Sequence, residues 1–222
     1  MRRILIAILF FSWVGGYAQK ARKTAFGIAV GRALTAEIRP ALFATTMVMV
    51  HDVVNRPAAS RYYSYMMLAA YDLVSRHDSG LVAPGVFIPH YPMDSSRADG
   101  DYRIAAVYAI LETGRQMLPS GYLLEKEERN FVGKLHKWGV PQGVVDRSLA
   151  AARSVVQREI AFSRGDRYNL LSAKLRYTPL KTDSAWYPTP PSYIEAVEPN
   201  WRIIRPMIID SADQFIPAFP RS

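Results

Sequence analysis

The sequence predicts an all-α protein: a helical bundle of about five main helices, with a long Pro/Gly-rich loop and a Pro-rich C-terminal strap. Three observations lead there. Apolar residues recur at spacings of three and four in several segments between residues 36 and 164, the period of helices that each bury one face. Breakers fall between these segments and after Tyr177, where eight of the fifteen prolines lie. Cysteine is absent, so neither disulfides nor thiolate metal sites hold the chain, and packing must do so.

The first residues run from Arg2 and Arg3 through the apolar stretch Ile4 to Val14 into Gly15, Gly16, Tyr17 and Ala18. This is the order of a secretory signal peptide over residues 1–18, cleaved between Ala18 and Gln19 with Gly16 and Ala18 at the small-residue positions. The apolar run is short for a bilayer span, which favours cleavage over a retained anchor helix and leaves no stable membrane span. The reading places the protein outside the cytoplasm, periplasmic or secreted. Removing residues 1–18 takes away two arginines and no acid, so the formal charge goes from +9 to +7. No run of five like charges accompanies that basic balance, and an exported protein seldom meets nucleic acid, so a solvated basic surface is the reading and nucleic acid is excluded as a partner.

Residues 19–35 lack a clear period and carry two glycines, which reads as a flexible leader ahead of a helical domain over residues 36–176. Thr35 is the expected N-cap of a first, largely buried helix that contains Pro40 near its start and ends near Asn55, ahead of Pro57. A second helix from about Ala58 to Arg76 aligns Tyr62, Met66, Ala69 and Leu73, widened by Tyr63, Tyr71 and Val74. The short Arg56-Pro57 link folds these two helices into an antiparallel pair, the expected centre of the core. The breakers between Asp78 and Gly100 predict a long loop, packed on the helices through Leu81, Val82, Val86, Phe87 and Ile88. Asp101 caps a third helix to about Leu118, with Ile104, Val107, Tyr108 and Leu111 on one face.

The fourth helix, about Tyr122 to Trp138, sets Leu124, Phe131, Leu135 and Trp138 against a charged face, and Gly139 stops it. The fifth has the cleanest stripe, Val145, Leu149, Ala152, Val156 and Ile160, and closes near Gly165. From 177 to 222 the prolines predict an extended strap. Only Glu195 to Phe215 has room for a helical turn or two, with Trp201, Ile204, Met207 and Ile208 as its apolar side.

Chemistry is sparse. His51-Asp52 and His77-Asp78 are adjacent pairs, and neighbours on a helix point about 100° apart, so they converge on one ion only with further ligands three or four positions away. Around His51 those positions hold Met47, Val48, Val54 and Asn55, which predicts a satisfied histidine on a mostly buried helix rather than a metal site. No Gly-x-Ser-x-Gly elbow and no P-loop occur. Tyr62, Tyr63, Tyr65 and Tyr71 read as core residues whose hydroxyls reach partners. The residues therefore assign no catalytic, cofactor-binding or metal-binding position.

Two stretches carry a resemblance: VMVHDVVNRPAASRYYSYMMLAAYDLVSR at 48–76, and WYPTPPSYIEAVEPNWRIIRPMIIDSADQFIPAFP at 186–220, with Glu198-Pro199-Asn200-Trp201, Ile204-Arg205-Pro206 and Asp210 to Phe215 the most specific parts. Together they resemble the N-terminal half of exported bacterial proteins related to vanadium-dependent haloperoxidases, within the type 2 phosphatidic acid phosphatase (PAP2) superfamily. The resemblance implies an all-helical fold and, in the parent family, vanadate or phosphate held by three elements of the C-terminal half: a lysine six residues ahead of an Arg-Pro, a Ser-Gly-His, and a Ser-Arg followed six residues later by a histidine. Cationic side chains neutralise such an oxyanion, serine and backbone donors orient it, and imidazoles ligate it or transfer protons. Here Arg205-Pro206 has Glu198 at the lysine position and Arg39-Pro40 has Arg32. Ser79-Gly80 continues into Leu81 and Ser120-Gly121 into Tyr122, while Ser60-Arg61, Ser75-Arg76 and Ser163-Arg164 have Met67, Val82 and Leu170 where the histidine belongs.

The resemblance thus implies a truncated or split haloperoxidase-like or PAP2-like protein that scaffolds an oxyanion site, inactive alone as peroxidase or phosphatase, with no cofactor held by this chain. Its partner would be a missing C-terminal catalytic half, or a second copy of itself. The competing expectation is a self-sufficient periplasmic helical binding or interaction protein without catalysis. An apolar patch of more than a few hundred Å², left where a missing half would pack, separates the two.

Overall fold

The computed structural model describes residues 27, 29–94, 99–174, 177–180, 182 and 185–217. The expected signal peptide, residues 1–18, lies outside the described residues. Those described form helices joined by turns and extended segments, with no strand among them. The helices are α1 (Ala29–His51), α2 (Arg56–Ser75), the one-turn α3 (Pro84–Phe87), α4 (Tyr102–Met117), α5 (Glu125–Lys137) and α6 (Gln142–Arg164). Five of them are longer than a turn, which is the all-α bundle the periodicity predicts.

α1 starts inside the stretch expected to be a flexible leader. Val30 and Leu34, one turn apart, are buried in the core, and that apolar stripe continues through Ala41, Val48 and Met49. Burial of this face outweighs the helical cost of Gly27 and Gly31, about 1 kcal/mol each. Thr35 is accordingly not a cap: its hydroxyl bonds back to the Gly31 carbonyl at 3.1 Å. α1 ends at His51, four residues before the expected Asn55. Val53 then takes a left-handed φ of 52°, and Val54 N–H reaches Met49 O (2.9 Å) while Val53 N–H reaches Val50 O (3.1 Å), a Schellman-type stop. Asn55 caps α2 by accepting from Ala58 N–H at 2.9 Å, with Pro57 in the first turn where no N–H is needed.

The centre of the core is α4, not the α1–α2 pair. Every residue from Ile104 to Gly114 is buried, because α2 and α6 flank α4 while α1, α5 and the 3-10 turn Gly121–Leu124 close its remaining sides. Its start is as read: the Asp101 carboxylate accepts from Arg103 N–H at 2.9 Å. α6 buries Val145, Leu149, Ala152, Val156 and Ile160 as its spacing requires, and Gly165 caps its end.

The loop from Asp78 to Gly100 packs less than its composition suggests. Ile88, Tyr91 and Pro84 are buried, but Leu81, Val82, Val86 and Phe87 remain exposed, since the single turn of α3 turns only part of its surface inward. Among its described residues the strap has one helical turn, Trp201–Ile203. It returns to the bundle at two points: Arg205 N–H donates to Asp166 O (3.0 Å), and Asn55 Nδ2 donates to Glu198 Oε1 (2.8 Å).

Candidate functional site

Where the strap crosses the ends of α2 and α6, charge is concentrated around Asp166. α6 stops at Gly165, and Arg167 in the left-handed region (φ 68°) turns the chain so that Asp166 points back under the bundle. α2 supplies Arg61 and Tyr65, one turn apart on the same face. Asp166 Oδ2 accepts from Arg61 Nε at 2.5 Å and from the Tyr65 hydroxyl at 2.9 Å, and Oδ1 accepts from Tyr168 N–H at 2.9 Å. Arg61 lies 4.4 Å from the Tyr168 ring centroid. From the strap, Arg205 Nη2 donates to Phe162 O (2.9 Å) and approaches the Tyr65 hydroxyl (3.4 Å), its guanidinium 3.7 Å from the Phe162 ring centroid. The exposed carbonyls at the C-terminal end of α6 are the negative pole of its dipole, which favours two guanidiniums there. Burial, then the Asp166 charge, push the Tyr65 hydroxyl well above its ordinary pKa, so it stays a donor. Burial and the neighbouring Tyr62 and Glu198 push Tyr168 up to about 12.

Two cavities flank this cluster. One of about 380 Å³ is lined by Ser60, Arg61, Ser64, Tyr65, Asp166 and Arg205 among others. The other, about 620 Å³ on the far side of the strap, includes Arg167, Arg202, Arg205, Asp210 and Asp213. Arg61, Tyr65 and Arg205 already donate to Asp166 or to carbonyls, and the carboxylates of Asp166, Asp210 and Asp213 repel a second anion. Within this cluster, Arg205 Nε is buried without a hydrogen-bond partner. No histidine lines either cavity. Vanadate would need converging cations free of an acid together with an imidazole, so these residues do not fit it.

The sequence-derived candidates lie elsewhere. His51 is not in the buried part of its helix but exposed at its end, 3.1 Å from Asp52 Oδ1, because α1 stops there. Asp52 turns inward and accepts from Ser120 N–H at 2.9 Å; burial opposes its ionisation, yet the Ser120 bonds outweigh it and hold its pKa below the ordinary value. His77 stacks on Tyr102 with ring centroids 4.7 Å apart, and His90 and His136 are exposed. Tyr63, half-buried against the core, finds Thr46 Oγ1 (2.5 Å), while Tyr71 lies outside the core, edge-on to Phe87, with its hydroxyl on Val82 O (2.8 Å). Glu198, at the lysine position of the resembling pattern, is bound by Asn55. Among the described residues no group of three or more His, Cys, Asp or Glu could hold a metal ion.

Two further polar clusters went unread in the sequence. In one, Asp72, Arg76, Arg158 and Asp94 form linked ion pairs beside the buried Tyr91–Glu159 bond. In the other, beside a cavity of about 410 Å³, Arg115 grips Glu112 through two bonds (2.6 and 2.9 Å) and Glu128 packs against the pair. Burial, then Glu112, raise Glu128 to about 8. Sequence offers only a faint signal for the distant partners, since Arg158 is 64 residues from Asp94 and 86 from Asp72 and Glu159 is 68 from Tyr91, whereas Asp72–Arg76 and Glu112–Arg115 are four and three apart on one helix.

No family model matches the chain, and neither does any curated protein. Among solved structures, a bacterial vanadium-dependent iodoperoxidase is similar, with a TM-score of 0.71 and 27% identity over 84% of this chain. The match spans 46% of that enzyme, so the chain corresponds to about half its length. In fold, the chain is related to the vanadium haloperoxidases of the PAP2-like group.

Proposed function

We propose that this helical bundle is the scaffolding portion of an exported vanadium haloperoxidase-like protein, and that the groups gripping the oxyanion come from polypeptide outside these 222 residues. One observation carries the reading: the bundle aligns with about half of the iodoperoxidase, while its own buried arginines are neutralised by Asp166 and helix-end carbonyls. Support comes from the surface. Phe43, Met47, Val50 and Val53 are exposed at the end of α1, and Tyr122 and Leu123 are exposed on the turn that Asp52 ties to that end. Apolar groups so grouped suit a surface that another polypeptide covers.

The test is turnover by the purified chain with hydrogen peroxide, iodide and vanadate, and separately with a phosphomonoester. Neither reaction should rise above the no-protein rate, and sedimentation should show association that weakens when Phe43 and Val50 are replaced by Ser. Robust turnover by this chain alone overturns the proposal. A self-sufficient binding protein is the second reading, favoured by the closure of α4 on all sides. A strictly monomeric chain with one cooperative melt would support it.

A further inference from the structure

The segment between α2 and α4 is fastened by a bond between two buried groups. The Tyr91 hydroxyl donates to Glu159 Oε2 at 2.9 Å, and the Tyr91 ring meets Phe162 edge-on at 5.2 Å. Ile88, one turn earlier, packs into the same small cluster with Tyr65, Leu68 and Phe162. Glu159 is 0% exposed, and its Oε1 has no hydrogen-bond partner. An ionised carboxylate here would sit in the interior with one oxygen unsatisfied, which is costly.

The charges facing Glu159 come from each neighbouring element. α2 contributes Asp72, which Arg76 binds at 2.5 Å. On α6 itself Arg158 is drawn to Asp72 (3.2 Å) and Asp94 (3.0 Å). The strap brings Arg205, whose Nη2 is taken by Phe162 O and the Tyr65 hydroxyl. The segment brings Tyr91, and Asp94 through Arg158. Burial above all, with the Asp72 charge, raises Glu159 to about 8, although Tyr91, Arg205 and Arg158 oppose the rise.

We propose that residues 84–94 are a proton-held latch: neutral Glu159, bound to Tyr91, closes the segment over the Tyr65–Phe162 wall beside the strap, and loss of that proton favours release. The sign follows from linkage. Opening exposes Glu159 to water, where its ordinary value is 4.5, against about 8 when closed. Between these values the closed form keeps a proton that the open form loses, so opening gains up to about tenfold per pH unit and levels off above 8. The Asp94 ion pairs with Arg76 and Arg158 act on the same segment, and Glu159→Gln leaves them in place.

Hydrogen exchange of the full chain read by mass spectrometry, corrected for intrinsic rates, tests this between about pH 5 and 8. Protection over residues 84–94 should fall several-fold per pH unit in the wild type and stay level in Glu159→Gln, while α4 peptides remain better protected throughout. Tyr91→Phe, which removes the bond to Glu159, should lose protection in the segment at about pH 5 as well as at about pH 8. A flat wild-type profile, an equal slope in Glu159→Gln, unchanged protection in Tyr91→Phe, or segment protection equal to that of α4 would each overturn the latch. Should Glu159→Gln not fold, the wild-type profile and Tyr91→Phe still decide it.

Discussion

Val53 is the one β-branched residue in the left-handed region among the described residues, with φ at 52°, and it is 87% exposed. That conformation costs an L-residue about 1–2 kcal/mol, and an exposed side chain recovers little of it through packing. Glycine adopts the same backbone freely but enlarges the unfolded ensemble, so the net gain of Val53→Gly is about 1 kcal/mol. A calorimetric melt should move up by about 2–4 °C; a lower midpoint would show that Val53 makes a contact worth more than its strain. Asp166 presents the opposite case. Its side chain is 2% exposed and that of Arg61 9%, so Asp166→Ala strands a buried guanidinium and should cost about 3–5 kcal/mol. Replacing both, as Arg61→Met with Asp166→Leu, should cost less than the single change. Denaturant unfolding compares them, and a double variant weaker than the single one would contradict the account.

Three elements close on α4 at Gly114. A Cβ there would lie 2.9 Å from Leu124 Cδ1, 3.0 Å from Thr45 Cγ2 and 3.3 Å from Met66 Cε, three side chains on three different elements packed against α4. Gly114→Ala gains about 1 kcal/mol of helix propensity. Overpacking against several walls costs about 1–3 kcal/mol, so net destabilisation is expected, read as a lower urea midpoint at unchanged slope. This crossing was invisible in the sequence, whereas the elements around it were legible. Asp101 announced the start of α4 and the Val145 to Ile160 stripe announced α6, because caps and periodicity are local. The start of α1 was read seven residues late since Gly27, Gly31 and an interior Pro40 argue against helix locally, and only the burial of Val30 and Leu34 decides otherwise. The charged cluster was legible only as residue types. Arg205-Pro206 stood out as part of the resembling pattern, but its partners Tyr65, Phe162 and Asp166 are set by how the strap returns to the bundle.

Across the whole molecule, buried acids set how stability depends on pH. Glu128 and Glu159 both rise to about 8 from 4.5, the first through burial and Glu112, the second through burial and Asp72. The folded chain keeps these protons between the two values and the unfolded chain does not, so stability falls with rising pH across that window and levels off above it. Asp52, Asp101 and Glu112 run the other way: their folded values are depressed by hydrogen bonds that outweigh burial, and the stability they contribute is lost as pH drops through the acid range. The formal net charge of +9 comes from an excess of lysines and arginines, which as a class stay charged between about pH 5 and 8. The melting midpoint should therefore peak near about pH 5 and decline toward pH 8. Glu128→Gln retains a donor toward Glu112 without an ionisable proton, and should flatten part of that decline while leaving the acid limb in place. A wild-type midpoint that climbs steadily from pH 5 to 8 would mean that both glutamates ionise freely in the fold, with Arg115 beside Glu128 and Arg158 and Arg205 near Glu159 outweighing the cost of their burial.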